Sequence, residues 1–147
     1  MILDLTSFAK AISQLEEALA YCQSDLAKND ARLAQHLRAA AIQAFEFTYE
    51  LSFKMLRRFL EATEPNPALI DEMSFNEIIR KGFERGILQS ELADWQEFRK
   101  DRGTTSHTYD EDKARDVFEC TPKFLLEAKF LYGQIQKRQT AHRERPN

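Results

Sequence analysis

Between Arg102 and Tyr109 the chain places a permanent cation, an imidazole and a phenol within eight residues, in the run Arg102-Gly103-Thr104-Thr105-Ser106-His107-Thr108-Tyr109-Asp110. A guanidinium grips a phosphate through two parallel N–H donors, an imidazole gives or takes a proton near neutral pH, and a phenol offers an oxygen for group transfer. These are the groups that phosphate chemistry uses. The same residues also have a plain structural use, with a cation closing a helix and two rings in the turn that follows. The spacing R-x4-H decides between the two readings only together with its surroundings.

Arg102 and His107 can serve one phosphate only if the helix stops between them, because five residues of unbroken helix would set them about 140° apart around the axis. Gly103 and the β-branched pair Thr104-Thr105 are poor helix formers and predict that stop. Arg99 and Lys100 lie just before it and are candidate RNA contacts. Residues 61–96 carry eight acids against three bases, whereas residues 97–147 carry nine acids against eleven bases, so positive charge is concentrated where the motif lies.

The elements that must position this run are helical. From Leu5 to Leu26 apolar residues recur in steps of three and four, which predicts one long first helix. A second should run from about Ala31 to Glu61 with two apolar stripes, one through Leu37, Ala41, Ala44, Thr48, Leu51 and Met55, the other through Phe45, Tyr49, Phe53, Leu56 and Leu60. Two stripes suggest two packing partners, the second being a further copy of the chain. Glu46 and Glu50 followed by Lys54 place a favourable i,i+4 pair on the wet face. Pro65 and Pro67 end this helix. Ser74 and Glu77 have capping-box spacing, and Gly86 is the expected left-handed C-cap, which defines a short helix to Arg85.

Ser90 is the expected cap of the next helix, which turns Leu92, Trp95 and Phe98 inward and brings Arg99 and Arg102 to its end. Thr108 with Glu111, or Asp110 alone, then caps a final stretch through Ala114, Val117, Phe118, Phe124, Leu125 and Ala128. Thr121-Pro122 either starts a new helix or leaves Pro122 inside a continuous one. The tail after about residue 137 is polar and is expected to fray.

The predicted fold class is therefore all-α, an antiparallel up-and-down four-helix bundle with an additional short helix, forming a single domain over residues 1–147. A composition of 43% hydrophobic residues with four Gly and four Pro fits a folded helical protein. The two cysteines make no disulfide framework, and no His or Cys pair has metal-ligand spacing, so no metal or cofactor is expected. The start lacks the basic and apolar regions of a signal peptide, and no apolar run approaches the roughly 20 residues of a membrane span. A cytoplasmic protein is expected.

In this setting the chain resembles HEPN-domain proteins, specifically the group known both as nucleotidyltransferase substrate-binding proteins and as the HEPN toxins paired with minimal nucleotidyltransferase (MNT) antitoxins. The resemblance covers Leu37 to Phe118. It rests on the run Gln43 to Lys54, on Phe75-Asn76-Glu77-Ile78-Ile79-Arg80, and on Ser106 to Asp110, with the family's R-x4-H-x-Y signature at Arg102, His107 and Tyr109. One departure is Gly103, where the residue after the arginine is often a polar one, commonly Asn.

The resemblance implies a metal-independent endoribonuclease toxin whose active site forms where two subunits of a homodimer, or of a higher even-numbered oligomer, meet. It makes Arg102 and His107 catalytic, tRNA the first candidate substrate and mRNA the next, and Tyr109 the residue on which a cognate MNT-type nucleotidyltransferase places AMP. The residues are suited to that chemistry. Cleavage by the RNA's own 2′-hydroxyl needs a base, an acid and positive charge for the phosphorane, and two copies of His107 would supply base and acid together. An alternative is a non-catalytic substrate-binding subunit of a two-component nucleotidyltransferase; a plain helical dimerisation domain is another.

Overall fold

The computed structural model describes residues 2–144, with side chains described as far as Ala141. Among them are seven α-helices, one 3₁₀ turn and no strand. Four helices form the bundle: α1 (Thr6–Cys22), α3 (Ala31–Thr63), α6 (Leu92–Gly103) and α7 (Glu111–Glu144). The short α2 (Asp25–Asn29), α4 (Ala68–Asp71) and α5 (Phe75–Glu84) lie in the connections.

Ser24 interrupts the expected first helix. Its hydroxyl accepts from the Ala27 N–H at 3.3 Å and donates to the Tyr21 carbonyl at 2.6 Å, so it caps a separate α2. The apolar seam ends with it, and Leu26 is 68% exposed. Asp30 then caps α3, its carboxylate accepting from the N–H groups of Arg32 and Leu33, both at 3.1 Å.

Both stripes of α3 are largely used within the protomer. Ala41, Ala44, Thr48 and Met55 are buried on one, and Phe45, Tyr49, Leu56 and Leu60 on the other. The second stripe faces Trp95 and Phe124 rather than a further copy of the chain, because α6 and α7 close over it. Phe124 is the centre of this core, with the rings of Phe98, Phe45, Trp95 and Tyr49 between 5.1 and 5.9 Å away.

Neighbouring helices run in opposite directions. Cys22 near the end of α1 lies close to Arg38 near the start of α3, and Ala11 meets Thr48 further along α3. In α6 and α7, Asp94 pairs with Lys123 and Asp101 with Cys120. The diagonal helices α3 and α7 are parallel, as Gln35 bonds Glu111 and Phe45 packs on Phe124.

Ser74 caps α5 by accepting from the Glu77 N–H at 3.2 Å, and Gly86 follows α5 with φ +74°, a conformation suited to glycine. The cap of α6 is Glu91, not Ser90: the Glu91 N–H donates to Asp94 at 3.2 Å in a reciprocal capping box. Ser90 is buried instead, because its N–H is claimed by Glu127 of α7 at 2.8 Å. That fully buried carboxylate also accepts from the Gln89 N–H at 3.0 Å and the Trp95 indole N–H at 2.9 Å, fixing α6 against α7.

Helix α7 is continuous through Pro122 and extends as helix to Glu144; residues 145–147 lie outside the described residues. A proline at 122 leaves the Phe118 carbonyl without its usual N–H. The Thr121 hydroxyl donates to that carbonyl at 2.6 Å and replaces the missing donor.

Candidate active site at the end of helix α6

The stop expected after Arg102 is present. Helix α6 ends at Gly103, and Thr105–His107 form a 3₁₀ turn that leads to α7. The turn is closed by backbone bonds from His107 N–H to Thr104 and from Asp110 N–H to His107, and by Thr105, whose hydroxyl donates to the Arg102 carbonyl at 2.9 Å. Asp110 alone caps α7, accepting from Asp112 at 3.0 Å and Lys113 at 3.3 Å. The motif is thus a short rigid corner between two helices whose aromatic core is packed beneath it.

Arg102 is half-buried and reaches across to α3. Its Nη2 forms an ion pair with Glu50 and lies 3.3 Å from a Glu46 carboxylate oxygen, while Nη1 donates to the Thr105 hydroxyl at 3.4 Å. The Glu50 hydrogen bond raises the Arg102 pKa further above its ordinary value, burial opposes this, and Glu46 adds to it. Glu50 therefore bonds Arg102 rather than Lys54, four residues along its own helix, because a guanidinium fork arriving from α6 meets two carboxylates one turn apart. Behind them burial pushes the Tyr49 phenol up to about 12, with Arg99 and then Arg102 opposing the shift.

Arg99 shares the Arg102 side. Its guanidinium carbon lies 4.5 Å from the centroid of Phe75, which in turn stacks on Phe53 at 5.3 Å. Lys100 is on the other side of α6, in a charged cleft with Asp101 and Cys120 of the α6–α7 seam. The two candidate RNA contacts therefore diverge.

His107 and Tyr109 project from the corner, both exposed, Tyr109 at 84%. Their segment is a helical turn, not an extended strand, yet it brings the rings edge to face with centroids 6.0 Å apart. Within one protomer the structure joins His107 to Tyr109, and Arg102 to Glu46 and Glu50. No hydrogen bond joins Arg102 to His107 among the described residues. Glu46 and Glu50 are the residues that sequence reasoning missed at this site. Two acids at i,i+4 were visible, but their partner lies 52 residues away from Glu50.

An all-helical bundle that presents an R-x4-H-x-Y corner between its last two long helices defines a HEPN-type domain. The chain belongs to the family described as nucleotidyltransferase substrate binding protein like, whose model matches residues 3–137. A Haemophilus influenzae protein named Probable ribonuclease HepT is 40% identical over 102 residues, which are 69% of each chain. A solved Haemophilus influenzae structure, described as revealing the fold of a substrate binding domain of a nucleotidyltransferase, superposes with a TM-score of 0.84 at 32% identity over 90% of this chain and 99% of its own. A solved structure of a Thermus thermophilus protein matches with a TM-score of 0.57 at 28% identity, over 82% and 98% of the two chains.

Among the described residues no helix is long and apolar enough to cross a membrane, and no three His, Cys, Asp or Glu side chains group as metal ligands would.

Proposed function

We propose that this chain is the endoribonuclease toxin of a HEPN-MNT pair, cleaving RNA without a metal through Arg102 and His107. The observation that carries the reading is that Arg102 lies in the last turn of α6 and His107 follows in the 3₁₀ turn of the same corner, in a chain 40% identical to a protein named as a ribonuclease. The 2′-oxygen of the RNA forms a bond to phosphorus, the bond from phosphorus to the 5′-oxygen breaks, and the 2′ proton is balanced by one delivered to that oxygen. His107 moves the proton and Arg102 holds the non-bridging oxygens.

A single His107 cannot serve as base and acid in the same step, so the reading requires a two-fold assembly that brings two corners together. Phe47, on α3 beside Glu46 and three residues before Glu50, leaves 51% of its surface exposed and suits such an interface. Arg99, held over the Phe75 ring, guides the RNA strand in this reading. Tyr109 is the control point. Its phenolic oxygen attacks the α-phosphorus of ATP in the partner nucleotidyltransferase, the α–β P–O bond breaks, pyrophosphate leaves, and the proton passes to a base of that enzyme. The adduct puts an anion and a nucleoside beside His107.

The test is cleavage of RNA by the purified chain in EDTA, with products analysed by mass spectrometry. Fragments ending in 2′,3′-cyclic phosphate are expected, and Arg102→Ala and His107→Ala should each lose cleavage while keeping the wild-type circular dichroism. Products with 5′-phosphate ends that appear only with added Mg²⁺ would overturn the mechanism.

The second reading, a substrate-presenting subunit of a nucleotidyltransferase, is favoured by the family description and by the carboxylates that already occupy Arg102. Under it Arg102→Ala leaves the partner enzyme's activity on its substrate intact, and no RNA is cut.

A further inference from the structure

Beside Tyr109 lies a cleft of about 250 Å³ between the first turns of α3 and the start of α7, and Tyr109 forms part of its wall. We propose that this cleft seats the first nucleotide attached to Tyr109, with Arg38 holding its phosphodiester. The proposal rests on the reading of Tyr109 as the modified residue and adds where the adduct goes.

Three observations select a nucleotide as occupant. Arg38 lines the same cleft as Tyr109, is half-buried, and enters no ion pair among the described residues, so an uncompensated cation is available to a phosphate attached there. Ile42 and Ala114, both buried, give the cleft an apolar floor on which a base can lie, and His36 stands at its rim. The volume falls just below the range of roughly 300–1,000 Å³ usual for small-ligand clefts, which suits one nucleotide unit and leaves any further units outside. The one acid in the wall, Glu111, is engaged by Gln35 across the cleft and by Arg115 at 3.9 Å, so it opposes an incoming phosphate less than a lone carboxylate would.

A seated adduct would hold Tyr109 in one pose beside His107 and clasp the corner to α3. Silencing then comes from an ordered plug rather than from a mobile appendage.

The experiment treats the full chain and its variants Arg38→Gln and Ala39→Phe with the cognate nucleotidyltransferase, ATP and Mg²⁺. Ala39 is exposed on α3 and lines the cleft, so a ring there fills the seat without altering a charge. Intact mass first establishes one AMP increment on each. Modification should then raise the melting temperature of the wild type by about 3–5 °C and that of each variant by less than half as much. The modified variants should also recover measurable RNA cleavage. Equal shifts in all three proteins overturn the seat while leaving Tyr109 control intact, whereas absence of any mass increment overturns both. If Arg38→Gln instead raises KM for RNA in the unmodified protein and leaves the modification shift unchanged, the cleft belongs to the RNA path and the proposal fails.

Discussion

Arg102 and Glu50 lie 52 residues apart in the chain, yet the guanidinium of one donates directly to the carboxylate of the other across the α3–α6 interface. The guanidinium is thus already occupied by carboxylates of α3, and its Nε is buried without a hydrogen-bond partner among the described residues. Under the proposed function an RNA phosphate would have to compete with Glu50 for Arg102.

Removing that competitor should tighten RNA binding. Glu50→Gln keeps an acceptor for Arg102 and deletes one negative charge, worth about 1 kcal/mol in water at 4 Å, or roughly a fivefold lower Kd. The measurement is a salt titration of RNA binding in a His107→Ala background. The slope should steepen by about 0.7, the increment for one more neutralised phosphate on a single strand. Weaker binding would show instead that Glu50 orients Arg102 for its task.

Tyr109→Phe should remain folded and toxic in the presence of the nucleotidyltransferase. With 84% of Tyr109 exposed, loss of its hydroxyl should change stability by less than about 0.5 kcal/mol. Intact mass should show an increment of about 329 Da per AMP, one AMP less water, on the wild type and none on the variant, the modification being the charge-adding kind. Full neutralisation of the variant by the partner would mean that control acts by binding and not through this oxygen.

Glu127 should be the residue on which the α6–α7 joint most depends. Glu127→Ala leaves the N–H groups of Gln89, Ser90 and Trp95 without an acceptor in a closed interior, a loss of about 2–4 kcal/mol in urea unfolding. Glu127→Gln keeps one oxygen and turns an amide nitrogen towards another donor, so it should fall between the two. An alanine variant as stable as the wild type would show that the three donors find other acceptors.

The thiols should respond differently to pH. Burial pushes both Cys22 and Cys120 up from the ordinary thiol range. Cys120 is shifted further, first by its deeper burial and then by Asp101 facing it, whereas Arg38 partly offsets the shift of Cys22. Raised values disfavour the thiolate, which is the reacting form, so alkylation of either should be slow at pH 8 and accelerate as pH rises. Cys22 should label first and Cys120 more slowly; Cys120 labelling as fast as Cys22 in the native protein would contradict this order.

Most of the bundle was legible because helix signals are local. Ser74, Gly86 and Asp110 act where their residue types predicted, and the weak helix formers after Arg102 do end α6. The failures share a cause, which is a side chain that competes for backbone hydrogen bonds, locally in one case and from a distant helix in the other. Ser24 bonds its own turn and cuts α1 short. Ser90 gives up its capping role because Glu127 takes its N–H from α7. Glu127 did carry a signal, an acid three residues after Phe124 and one before Ala128 on a face that is otherwise apolar. At the site, the weak helix formers after Arg102 foretold the corner and the resemblance named Arg102, His107 and Tyr109, but the partners of Arg102 could not be read, since nothing in Glu46 or Glu50 points to a helix 52 residues later.

The N–H of Leu3 donates to the side chain of Gln139 at 2.7 Å, so the two ends of the fold meet across 136 residues. Translation gives this contact a meaning of its own. At roughly 5–20 residues per second the ribosome needs on the order of ten seconds to deliver the chain. Until α7 emerges, α1 and α3 lack the helix that supplies Phe124 and Glu127. The corner bearing Arg102 and His107 is synthesised before the helix that anchors it, so a nascent chain has the motif without its support. Whatever the corner does as part of the folded bundle is thereby deferred until α7 has been made.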